Sequence, residues 1–133
     1  MISQNQFKTE MADVVTACLP TEAYAFQIAA DDLIETIYAG RITSRKGKPK
    51  GEFGFFQEGK AILEFVVLLH ATYKVVRDLA GIDTSKTGHL PSLDTFADLW
   101  TRSLTEGGIA ADKATDIVRR FATRLYTSAG GGV

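Results

Sequence analysis

Apolar residues recur at helical spacing in five stretches of the chain. Phe7, Met11, Val14, Val15, Cys18 and Leu19 share one face of a first helix, and Ser3 with Gln6 forms a capping box at its start. Pro20 removes a backbone donor and ends it. Thr21 is the predicted N-cap of a second helix, with Glu22 placed to complement the dipole and Gly40 to close it. Its inward stripe is Ala23, Phe26, Ala30, Leu33, Ile34 and Ile37. A third helix is predicted from about Phe56 to Ala80, closed by Gly81, with Ile62, Phe65, Val66, Leu69, Tyr73 and Val76 in one stripe. Leu63, Val67, Leu68, Ala71, Val75 and Leu79 widen that stripe around most of the circumference. Phe65 to Leu69 alone would also suit a strand, but about 25 residues without a turn signal favour a helix. Ser92 caps a fourth helix carrying Leu93, Phe96, Ala97, Trp100 and Leu104 inward, stopped by Gly107 and Gly108. Ala114, Ile117, Val118, Phe121, Ala122 and Leu125 form the inward face of a fifth.

Between the helices, residues 41–54 show no sustained period and contain three glycines and a proline, which predicts a long loop. Residues 81–91 read as a shorter polar loop, and 129–133 as a flexible C-terminal tail. The expected architecture is an all-α, five-helix, bundle-like single domain over residues 1–128, with the third helix central.

Composition supports this and adds one asymmetry. The chain has 133 residues, 45% hydrophobic and 23% charged, enough for one domain with an ordinary core. Its net charge of −1 excludes a chain basic throughout. Residues 1–40, however, carry six acids against Lys8 alone, while residues 41–60 carry six bases against Glu52 and Glu58. Cys18 is the single cysteine, so no internal disulfide forms. The N-terminal residues do not read as a secretory signal, and the apolar run from Ala61 to Leu69 is too short for a bilayer crossing. The expectation is a cytoplasmic setting, with no membrane partner and no cofactor.

The basic loop is the strongest functional signal. Arg41, Arg45, Lys46, Lys48 and Lys50 lie within ten residues, and Phe53, Phe55 and Phe56 follow. Cations of this kind follow a phosphate backbone while aromatic rings stack on unpaired bases, and the same surface suits an acidic protein partner. The plain alternative is a solvated linker. The breadth of the third helix's apolar face suggests self-association as a dimer, with Tyr73 and Trp100 as anchors.

An enzyme reading rests on acids. Asp31, Asp32 and Glu35 on one helix, with Glu10 and Asp13 on another, could hold Mg²⁺ between facing helices. At these few positions the pattern resembles the all-helical nucleoside-triphosphate pyrophosphatases, with the two elements in the opposite order. Glu64, in the most apolar helix, needs a cation or several donors, and Lys60 is the nearest in sequence. His70 falls on that helix's polar side with Lys74 and Arg77, and is expected to be partly exposed. His89 has no second ligand at metal spacing, and Lys86 precedes Gly88, which excludes a phosphate-binding P-loop. The reading that follows is a helical protein-binding adaptor or regulatory protein, a homodimer rather than an enzyme. A nucleic-acid accessory protein using residues 41–56 comes second, and a Mg²⁺-dependent hydrolase third.

Overall fold

Ser3 opens the first helix as its sequence predicts, its Oγ accepting from the Gln6 amide at 3.1 Å. That helix, α1 (Gln4–Cys18), begins a computed structural model that describes residues 2–40, 63–81 and 91–129. Pro20–Glu22 form a single 3₁₀ turn, and α2 (Ala23–Ala39) follows. Next come α3 (Glu64–Ala80), α4 (Leu93–Gly107) and α5 (Ala111–Ser128). Among the described residues there are five α-helices and no strand, so the fold is an all-α bundle. Gly40 and Gly108 take the left-handed φ values of 74° and 117° that release the chain from α2 and α4. Ser92 caps α4 through the Thr95 amide at 3.1 Å.

Two predicted boundaries move for one reason. Thr21 does not cap α2, because the chain winds through the 3₁₀ turn first and Glu22 occupies the cap position without bonding to its own helix. The Glu22 carboxylate instead crosses to α3, accepting from the amides of Glu64 at 3.0 Å and Phe65 at 2.7 Å. An anion there satisfies two orphan donors and the helix dipole together. Leu63 just before them is extended, at φ −62° and ψ 146°. The helix therefore starts at Glu64 and does not run unbroken from position 56; residues 56–62 lie outside the described residues.

Helix α3 touches each of the other four. Its Tyr73 ring lies 6.2 Å from Phe7 of α1 and 5.0 Å from Tyr38 of α2, and Phe65 meets Phe26 of α2 edge-on at 5.7 Å. Trp100 of α4 donates its indole N–H to Thr72 at 2.9 Å. Lys113 of α5 holds Glu64 at 2.9 Å, supplying the cation that Glu64 needs. This bond raises the Lys113 pKa. Phe65, Val66, Leu68, Leu69, Val75, Val76 and Leu79 are all buried within the single chain. The apolar surplus expected on α3 is thus covered by its own neighbours, while Lys74, Arg77 and Asp78 face solvent and Val67 and His70 are half-buried.

Candidate functional site

The acidic residues do not assemble a metal centre. Arg124 of α5 reaches α1 and bonds both members of the Glu10–Asp13 pair: its Nε donates to Glu10 at 2.8 Å and a terminal nitrogen donates to Asp13. Bonding to Asp13 is the main cause that raises the Arg124 pKa. Glu10 also accepts from Gln6 at 2.7 Å and Ser128 at 2.9 Å, so these contacts give the carboxylate a structural role. Asp31 pairs with Lys8 at 2.7 Å, and Asp32 and Glu35 stand exposed beside it on α2. Among the described residues no group of three or more His, Cys, Asp or Glu side chains could hold a metal ion.

Trp100 is corrected as a self-association anchor: it is fully buried and offers no surface to a second copy. Tyr73 is half-buried, its ring held by Phe7 and Tyr38 on one side and covered by the Arg77 guanidinium at 5.8 Å. The predicted basic surface of Arg41, Arg45, Lys46, Lys48, Lys50, Phe53, Phe55 and Phe56 lies outside the described residues, as does His89. Nor is any helix among the described residues long and apolar enough to cross a membrane.

What the structure does assemble is a groove between α3 and α4. Two cavities, of about 310 and 410 Å³, share Lys74, Ser103 and Glu106 and so form one continuous depression. The helices run antiparallel, Val67 lying beside Gly107 at one end and Leu79 beside Phe96 at the other. A Cβ built at Gly107 would stand 2.7 Å from the Val67 side chain, so glycine is what lets the two backbones approach there. Val75, Leu79, Phe96 and Leu99 make one half of the floor apolar, and Val66, Val67 and Ala71 the other. Lys74 and Glu106 line both cavities, whereas Arg102 and Asp78 line only the one that holds Leu79 and Phe96. Neither Lys74 nor Arg102 forms a salt bridge among the described residues.

Ser103 and His70 line the same cavity, but the Ser103 hydroxyl donates to the Ala71 carbonyl at 3.1 Å, so its proton is engaged with the backbone. Burial lowers the His70 pKa and favours the neutral imidazole.

The residues that sequence reading missed are Leu99 on α4 and Tyr24 and Ile28 on α2, the large apolar side chains exposed among the described residues. A signal existed: all three are apolar positions that fall off the inward stripe of their helix. Comparison of the chain with protein-family models, with curated proteins and with solved structures finds no match.

Proposed function

We propose that this protein works by binding other protein chains, as an adaptor or regulator that seats an amphipathic helix in the α3–α4 groove. The observation that carries this reading is the groove itself, with apolar residues in each of its two adjoining cavities and two cations that have no ion-pair partner among the described residues. A helix laid in such a groove anchors through apolar residues at i, i+3 or i+4, and i+7. Leu99, 41% exposed, is the floor residue such a helix would cover. Lys74 and Arg102 favour a ligand helix with acids beside its apolar face, since complementary charge steers encounter and fixes register. A homodimeric state and a reducing, cytoplasmic setting belong to the same reading, the latter supported by the single cysteine.

The test is site-directed photo-crosslinking in cells, with a benzophenone side chain placed at position 99 and, as control, at exposed Thr115 on α5. A discrete protein adduct is expected at position 99, absent at 115 and lost when Lys74→Glu and Arg102→Glu are added. The same adducts at both positions, or none, would sink the reading.

A further inference from the structure

Resting on the binding reading above, we propose that the occupant of the groove is α2 of a second copy of this chain. The outward face of α2 joins exposed apolar residues to acids without ion-pair partners among the described residues. Tyr24 and Ile28, one turn apart, are 75% and 60% exposed. Asp32 and Glu35 continue the same side of the helix, because residues at i, i+4, i+8 and i+11 fall within one sector of its circumference. The ridge is therefore apolar in its first half and acidic in its second.

Lengths agree as well. Tyr24 to Glu35 is eleven steps along its helix, about 16 Å at helical rise, which fits within the groove's α3 side from Val66 to Leu79, about 20 Å. The charges on both surfaces stand open: Lys8 neutralises Asp31 at 2.7 Å, but neither Asp32 nor Glu35 makes a salt bridge among the described residues. Lys74 and Arg102 are open in the same sense. Docking α2 into the groove puts Tyr24 and Ile28 on the apolar floor and brings Asp32 and Glu35 to a rim that carries Lys74 and Arg102, both without an ion pair among the described residues, beside Glu106, while Asp78 there pairs with Arg77 at 3.7 Å.

Ridge into groove joins unlike patches, and making the contact twice about a twofold axis closes a dimer.

Sedimentation equilibrium on the purified full chain tests this with two surface variants. One carries Lys74→Glu and Arg102→Glu in the groove; the other carries Asp32→Lys and Glu35→Lys on the ridge. All four positions are exposed, and circular dichroism checks that both variants keep the helical fold. The wild-type chain is expected to be dimeric at ~100 µM, each variant to dissociate at least about tenfold more readily, and an equimolar mixture of the two to regain wild-type association. A monomeric wild-type chain, variants that associate like wild type, or a mixture that fails to recover would each overturn the proposal. If the purified chain is monomeric while position 99 still crosslinks to another protein, self-docking falls and the binding groove stands. If position 99 captures nothing, the groove reading falls too.

Discussion

Where α5 meets α1, charge is enclosed. Glu10 is only 3% exposed, and it accepts from Gln6 of its own helix and from Arg124 and Ser128 of α5. Where α4 meets α3, the contacts are apolar apart from the Trp100–Thr72 and Ser103–Ala71 hydrogen bonds, and Lys74, Arg102 and Glu106 line the groove without ion-pair partners among the described residues. A polar group whose bonds are met inside the fold has a structural task. One left open beside an apolar depression is available to something else. The difference between the seams is what our proposal rests on: stability from the first and recognition at the second.

The contrast breaks most visibly at Trp100, whose ring fills the α3–α4 interior. Trp100→Ala is expected to destabilise the chain by about 3–5 kcal/mol, from lost burial and the cavity left behind. Urea unfolding followed by circular dichroism reads it, and added salt should leave the loss unchanged. A loss below about 1 kcal/mol would show that this seam is loosely packed. In the other seam, Arg124→Ala should cost about 2 kcal/mol, since it strips charge-assisted bonds from a buried carboxylate that keeps only Gln6 and Ser128. Arg124→Lys should recover only part of that, because an ammonium does not reproduce the fork that spans Glu10 and Asp13. If Arg124→Ala is neutral, enclosed charge is not what holds α1 to α5.

These contacts also show how far the sequence could be read. The number of helices, their inward stripes and the Ser3 and Ser92 caps all rest on neighbours within about one turn, where spacing is informative. The start of α3 was not legible, because its cap is Glu22, 42 residues earlier. The pairing of Arg124 with Glu10 was equally hidden, although Glu10 interrupts the stripe of Phe7, Met11 and Val14 and so announces a buried acid. The groove escaped because a depression is made by two helices jointly. Leu99 marked it only as a residue on the wrong face, as Tyr24 and Ile28 marked the ridge on α2.

Glu22 offers a milder cut. Glu22→Gln removes the charge and one of the two equivalent acceptors at the start of α3, for an expected cost of about 1 kcal/mol in thermal or urea unfolding at neutral pH. The loss should add to that of Arg124→Ala, because the two side chains share no partner. Marked non-additivity would join two regions that the geometry keeps separate.

The smallest expected effect lies inside the groove, at His70. Its pKa is lowered from 6.5 by burial, so as pH falls through that value the unfolded chain takes up the proton before the folded one does. The unfolded state then binds more protons, and folding stability declines on acidification below about pH 6.5 while remaining complete above it. The wild-type slope sums over every titrating group, so it alone assigns nothing to the imidazole. The informative quantity is the difference between wild type and His70→Gln, measured by urea unfolding at pH 7.5 and pH 5.5. The variant should lose less stability than wild type over that interval, since glutamine does not titrate. An unchanged slope would mean that His70 accepts its proton in place, with the groove wetter and more polar than its apolar floor implies. The floor would then be a poor seat for Tyr24 and Ile28, and the α3–α4 seam would no longer differ from the α1–α5 seam in the way that assigns it to recognition.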